Sequence, residues 1–139
     1  MIHLKQSIRT SELPCLATLA AGDVLAFILF AGLGRDQHGE SGGALSVVVT
    51  AAPFLVAWFM VSPRFGVFRA SWRRQGWPAL RGVAAAWVLA WPVALLLRVA
   101  LQRRGIPLSF DIVALVANSI FLLGWRGVYL AWAARRATS

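Results

Sequence analysis

The sequence predicts an all-α fold, a polytopic transmembrane four-helix bundle whose N- and C-termini are both cytoplasmic. Of its 139 residues, 59% are hydrophobic and only 14% are charged, and the mean hydropathy is +0.69. Four apolar stretches approach the roughly 20 residues that a helix needs to cross a bilayer. Because these stretches occupy most of the chain, we expect a single domain over residues 1–139.

The apolar stretches predict helices at residues 14–33, 44–61, 82–101 and 108–131. Pro14 suits the first turn of a helix, where the missing N–H costs nothing. Pro53 and Pro92 fall inside helices, which membrane-spanning helices tolerate. The longest connection mixes arginines with aromatic residues and predicts a short amphipathic helix over residues 65–75, ended by Gly76 and Pro78.

The distribution of basic residues predicts the orientation, since cytoplasmic loops carry the excess of lysine and arginine. One side of the predicted bundle has nine such residues: Lys5, Arg9, Arg64, Arg69, Arg73, Arg74, Arg81, Arg135 and Arg136. The other side has three: Arg35, Arg103 and Arg104. The first apolar run is too long for a signal peptide and contains Asp23, so we expect a retained helix. The predicted location is the inner (plasma) membrane of the cell, with several passes.

Ionisable residues within the predicted spans are the main candidates for a functional site. Each costs about 2.5–3.5 kcal/mol near a helix centre. Their estimated depths allow two ion pairs. Arg98 with Asp111 is the better match, because a tight turn joins their helices at that depth, and it is either a structural clamp or a functional site. Asp23 with Arg126 is the looser match, because the long arginine side chain must reach inward. Asp23 is either a buried hydrogen-bonded carboxyl or a proton or ligand site, and Arg126 either pairs with it or extends to the lipid phosphates. The sequence leaves these alternatives open.

Helical phase places the polar and small residues of each helix on one stripe, and we expect these stripes to meet inside the bundle. Asn118 belongs to the stripe of the fourth helix and is expected to make an interhelical hydrogen bond. The stripes comprise Ser46, Thr50, Pro53 and Ala57 on the second helix, Trp87, Trp91, Ala94 and Arg98 on the third, and Asp111, Asn118, Leu122 and Trp125 on the fourth.

Two further groups of residues lie outside the bilayer core. The long connection predicts contacts with anionic lipid headgroups through Arg69, Trp72, Arg73, Arg74 and Trp77. The first outer turn carries Arg35, Asp36 and His38, which favour either a weak metal or proton site or, on turn composition, a solvated polar turn.

Neither a catalytic set nor a cofactor or metal site is predicted. Cys15 and His38 lie at opposite membrane surfaces, too far apart for a nucleophile and its base. No cysteine or histidine spacing is typical of zinc, and no glycine motif is typical of phosphate binding. The net charge of +9 is explained by topology and anionic lipid, so nucleic acid is not expected as a partner.

Several short motifs, taken in order, resemble a family of small bacterial and archaeal membrane proteins known as domain of unknown function 3054. They are Gly22-Asp23, Phe30, Gly34-Arg35, His38-Gly39, Pro53-Phe54, Arg98, Pro107-Leu108-Ser109-Phe110 and Gly124-Trp125-Arg126. The likeness covers most of the chain from Ala17 to Arg126. It implies four helices and a membrane location in a prokaryote, and it implies no activity.

Three functions remain open at this stage. The minimal loops and the missing catalytic set favour a non-enzymatic helix-bundle module that forms a homo-oligomer or accompanies a larger membrane complex. A small oligomeric transporter or channel would use Asp23 and Arg126 on a path through the bundle. An enzyme acting on lipid or an isoprenoid would hold phosphates either at the outer turn or with the inner arginines.

Overall fold

Four helices form the fold in a computed structural model that describes residues 2–37, 39, 42–69, 71–102 and 108–137. They are α1 (Ile2–Gln37), α2 (Ala44–Val61), α3 (Ala79–Gln102) and α4 (Leu108–Ala137). The described residues include no β-strand. The predicted all-α four-helix fold is therefore confirmed.

Every helix contains a stretch that is long and apolar enough to cross a membrane. The stretches have mean hydropathies of 2.1, 2.2, 1.9 and 1.5 and comprise Cys15–Asp36, Ala44–Phe65, Ala79–Leu101 and Asp111–Ala137. At about 1.5 Å per residue, the shortest rises roughly 33 Å, which matches a hydrocarbon core of about 30 Å.

Helix boundaries agree for α2, and the largest departures from the prediction are at the start of α1 and the end of α4. Smaller ones are the end of α1, at Gln37, and the start of α3, at Ala79. Helix α1 begins at Ile2, so the prediction that Pro14 starts it was wrong. Residues 2–13 contain neither glycine nor proline and include the helix formers Leu, Lys, Gln and Glu, which let the helix continue. The membrane-crossing part of α1 still begins next to Pro14, at Cys15. Helix α4 continues to Ala137, because its final residues are mostly alanine and arginine.

The connection between α2 and α3 does not contain the predicted amphipathic helix over residues 65–75. Instead it forms two short 3₁₀ helices, Ser62–Phe65 and Trp72–Gln75. Gly66 follows the first of these with φ of 68°, a left-handed conformation that glycine adopts easily and that ends a helix. The chain turns inward at this point, so the next residue, Val67, is fully buried.

The helices pack in a ring in which α1 contacts α2 and α4, and α3 contacts the same two helices. Aromatic rings fill the centre: Phe27 lies 5.3 Å from Trp87 and 6.2 Å from Trp58 between ring centroids. The predicted interior stripes are confirmed at Pro53, Ala57, Trp87, Ala94, Asn118 and Leu122, all of which are buried. Large apolar side chains such as Leu96 and Val128 remain exposed, and a lipid environment accounts for them.

Candidate functional site

The centre of the candidate site is an ion pair between Asp23 of α1 and Arg126 of α4. Arg126 Nη2 lies 2.6 Å from Asp23 Oδ2, and Arg126 Nε lies 2.9 Å from Oδ1. The guanidinium therefore meets the carboxylate through two parallel hydrogen bonds, the strongest arrangement for this pair. Both side chains are 0% exposed, so the two charges neutralise each other inside the bundle.

Two tryptophans complete the hydrogen bonding of the Asp23 carboxylate. Trp58 Nε1 donates to Oδ2 and Trp125 Nε1 donates to Oδ1, each at 2.9 Å. Each carboxylate oxygen thus accepts one bond from an indole and one from the guanidinium. A carboxylate has about four lone-pair positions for hydrogen bonds, so this group is fully satisfied without water.

The opposite side of the Arg126 guanidinium is held by the connection between α2 and α3. Its Nη1 donates to the backbone carbonyl of Val67 at 2.9 Å. Its Cζ lies 4.7 Å from the centroid of Trp72 and 5.2 Å from that of Phe68, within the range of cation–π attraction. Arg126 therefore joins α1, α4 and the inward-turning connection through one planar group.

The motif Gly22-Asp23 has a direct structural reason. The six-membered ring of Trp125 lies against the α1 backbone at Gly22, where a Cβ atom would overlap the ring atoms Cε2 and Cζ2. Only glycine permits this approach, and the approach brings the indole N–H to the neighbouring Asp23 carboxylate. The adjacent residues Trp125 and Arg126 can then bind the same carboxylate from one helix.

The structure brings together Asp23 and Arg126, as their estimated depths allowed, and adds hydrogen-bonding groups and aromatic rings that the sequence analysis did not assign to the site. Trp58 was not singled out, and Val67 contributes only its backbone carbonyl. Trp58 adjoins the predicted interior stripe at Ala57, which is the one sequence signal that could have found it. A backbone acceptor leaves no such signal.

The second predicted pair, Arg98 with Asp111, stays a prediction. The backbone carbonyl of Asp111 accepts a hydrogen bond of 3.2 Å from Trp91 Nε1. Both side chains reach into the protein, since Arg98 Nη1 and Asp111 Oδ1 are buried atoms, but no described hydrogen bond joins them. Trp91 therefore attaches α3 to α4 through the backbone at this level.

Asn118 is fully buried, but its hydrogen bond is within its own helix. Its Nδ2 donates to the carbonyl of Ala114, one turn earlier in α4, at 2.9 Å. The predicted interhelical hydrogen bond was wrong, because an amide at a helix-interior position can reach the preceding turn of the same helix.

The outer-turn residues do not converge on one point in the described part of the turn. Arg35 folds back over α2, where its Nη1 lies 3.4 Å from the Thr50 hydroxyl. Asp36 is exposed, and its backbone carbonyl accepts from the Gly39 N–H. His38 lies outside the residues that the structure describes. Among the described residues, no group of three or more His, Cys, Asp or Glu side chains could hold a metal ion.

Most residues assigned to lipid headgroups are exposed, namely Arg69, Arg73, Arg74 and Trp77. Trp72 is the exception, with a side chain that is 2% exposed. Its indole N–H donates to the Ala79 carbonyl at 3.3 Å, and its ring covers Arg126. The assignment of Trp72 to headgroups was therefore wrong, because the connection turns inward and buries it.

These features define the class of protein: a multi-pass membrane protein of four helices in which a buried ion pair joins α1, α4 and the α2–α3 connection. The chain belongs to the family described as "Protein of unknown function (DUF3054)", which matches residues 20–129. The match includes Gly22, Asp23, Trp58, Trp125 and Arg126, the side chains and glycine that build the site. No curated protein matches the chain, and no solved structure matches it.

Proposed function

We propose that this chain is a non-enzymatic helix-bundle module that self-associates or accompanies a larger membrane complex. One observation carries the proposal: the Asp23 carboxylate is 0% exposed and already accepts four hydrogen bonds. A group in this state has no lone pair left for a substrate or an ion. The charged interior is then a device for holding the bundle in one shape.

The geometry also explains why a buried ion pair is present although burying two charges costs free energy. A buried pair contributes little net stability compared with apolar packing, but loss of one partner is strongly destabilising. Here the pair requires α1, α4 and the α2–α3 connection to occupy one fixed arrangement. A fixed arrangement presents a constant outer surface, which is what an interaction module needs.

The transporter alternative makes a different demand on the same residues. A transport path requires Asp23 to meet water or an ion during the cycle, whereas this carboxylate is enclosed by Trp58, Trp125 and Arg126. The full burial of the Asp23 carboxylate therefore supports the helix-bundle module over the transporter.

The enzyme alternative is supported less. The Cys15 thiol lies 3.2 Å from the Tyr129 hydroxyl. In the described part of the chain, neither group forms a hydrogen bond with Asp23 or Arg126. The described partner of the Cys15 thiol is therefore a phenol rather than the histidine that commonly activates a cysteine nucleophile.

Association can be measured by extracting the tagged protein from its native membrane in polymer-bounded discs. Photobleaching steps would then be counted and co-extracted proteins quantified. We expect more than one copy per disc, or a partner at fixed stoichiometry. Discs that hold one copy and no stoichiometric partner, over a range of expression levels, would contradict the proposal.

A second experiment separates the module from the transporter. Proton and ion flux is recorded in liposomes that contain wild type, Asp23→Asn or the control Asp36→Asn, an exposed residue on the same helix. We expect all three traces to equal those of empty liposomes. Flux in wild type and Asp36→Asn that Asp23→Asn abolishes would favour the transporter.

A further inference from the structure

A cavity with basic and aromatic walls lies where the end of α4 meets the α2–α3 connection. It has a volume of about 620 Å³, and its lining includes Arg73, Arg74, Trp77, Leu130, Trp132 and Arg136. The connection supplies two of its arginines and α4 supplies the third. None of the lining residues that the structure describes is acidic.

The arginine side chains that line this cavity suit a phosphate group. The three arginines carry planar guanidinium groups, which bind phosphate oxygens through paired hydrogen bonds. Arg136 is held in place because its Cζ lies 4.3 Å from the centroid of the Trp132 ring. Because none of the described lining residues is acidic, the lining carries a net positive charge that favours an anion.

The apolar residues that line the cavity suit the glycerol and the first methylenes of an acyl chain. Its apolar lining consists of Leu130 and four alanine or glycine positions, besides the tryptophans. Trp77 forms one wall, and its ring lies against α4 at Gly127, where a Cβ would be 3.4 Å from its Cζ3 atom. Tryptophans at the end of a membrane-spanning helix are typical of the headgroup level.

We propose that this cavity binds an amphiphile with a negatively charged phosphate, the headgroup of an anionic phospholipid. Its volume is within the range of small-molecule pockets, about 300–1,000 Å³, and far exceeds what a free phosphate needs. The proposal does not depend on self-association, since all the lining residues come from one chain. Both the lipid and a soluble phosphate would use the same arginines, so the test includes each.

The test is native mass spectrometry of delipidated protein in detergent, with bound ligand counted on the monomer peak. The probes are phosphatidylglycerol, phosphatidylcholine of the same chain length, and inorganic phosphate. The cavity variant is Arg73→Gln/Arg74→Gln/Arg136→Gln. The matched control, Arg64→Gln/Arg69→Gln/Arg81→Gln, removes the same charge on the same side of the bundle. All six side chains are exposed, so both variants should fold.

We expect wild type to bind one phosphatidylglycerol more tightly than phosphatidylcholine. The cavity variant should lose at least about tenfold in affinity, because it removes the three guanidinium groups that would bind the phosphate, while the control changes less than about threefold. Equal losses in the two variants, or equal binding of the two lipids, would overturn the proposal. Displacement of the lipid by millimolar inorganic phosphate would reassign the site to a soluble anion and overturn the lipid assignment.

A fluorescence measurement gives an independent readout in bilayers. Brominated phosphatidylglycerol should quench wild type more than Trp132→Phe, since this ring lines the cavity, and brominated phosphatidylcholine should show no such difference. Quenching that is unchanged by Trp132→Phe with either lipid would count against occupancy of the cavity.

Discussion

The Trp125 indole rests directly on the α1 backbone at Gly22, and this contact places its N–H on the Asp23 carboxylate. Because Gly22 has no side chain, the Trp125 ring can come close enough to donate the fourth hydrogen bond that the Asp23 carboxylate accepts. It also sets how closely α1 approaches α4, as small residues commonly do between membrane helices.

Substitution Gly22→Ala should destabilise the bundle by about 1–3 kcal/mol, the usual cost of forcing a methyl group into a packed interior. The Trp125 ring must move, and its bond to Asp23 is lost. The measurement is unfolding in mixed detergent micelles. Gly34→Ala on the same helix is the control, because a Cβ there meets nothing within 4 Å. Equal stability of the two variants would contradict the close approach.

Substitution Asp23→Asn should cost about 3–5 kcal/mol, because it leaves Arg126 as an uncompensated buried charge. The same unfolding measurement applies, with Asp36→Asn as the exposed control. That control should remain within about 0.5 kcal/mol of wild type. A loss below about 1 kcal/mol for Asp23→Asn would show that Arg126 reaches water, against the burial described.

The pair Asp23→Asn/Arg126→Gln should recover part of this loss, since both charges are removed together. Two residues in direct contact typically show an interaction energy of about 0.5–3 kcal/mol in a double-mutant cycle. The four proteins of the cycle are compared by unfolding in mixed micelles. Strict additivity of the two single losses would mean that the side chains act independently.

Substitution Arg126→Lys tests the planar group separately from its charge. An ammonium cannot hold both carboxylate oxygens and the Val67 carbonyl in the same geometry, so we expect a loss of about 1.5–3 kcal/mol, the range for hydrogen bonds to charged groups. The control is Arg81→Lys at an exposed position, which should leave the free energy of unfolding unchanged. If lysine at position 126 preserved full stability, charge alone would account for the site.

The orientation of the bundle can be read by cysteine labelling in a Cys15→Ala background. Ser71→Cys and Gly43→Cys introduce exposed thiols in the α2–α3 connection and before α2, respectively. The excess of basic residues predicts that an impermeant maleimide labels position 43 in intact cells and position 71 only after permeabilisation. The reverse pattern would place the termini outside.

Much of the fold was predictable because a long apolar run in a membrane protein can cross the bilayer only as a helix or as part of a closed barrel. The pairing of Asp23 with Arg126 was predictable only as the looser of two pairs that helical rise allows, because depth alone does not show that the arginine side chain reaches inward. The inward turn of the α2–α3 connection was not. Its composition suits the membrane surface, and the decisive features are the left-handed Gly66 and the contact of Trp72 with Arg126. Such features depend on tertiary contacts, which local composition does not encode.

The sequence separation of the ion pair has a consequence for biosynthesis. Asp23 and Arg126 are 103 residues apart, so at about 5–20 residues per second the ribosome adds the arginine roughly 5–20 s after the aspartate. During that interval the first helix enters the insertion machinery with no counter-ion from its own chain. We expect Asp23 to remain in contact with the translocon until α4 arrives. A nascent chain arrested before α4 would then retain an exposed intramembrane acid, a feature that membrane quality control can recognise as unfinished.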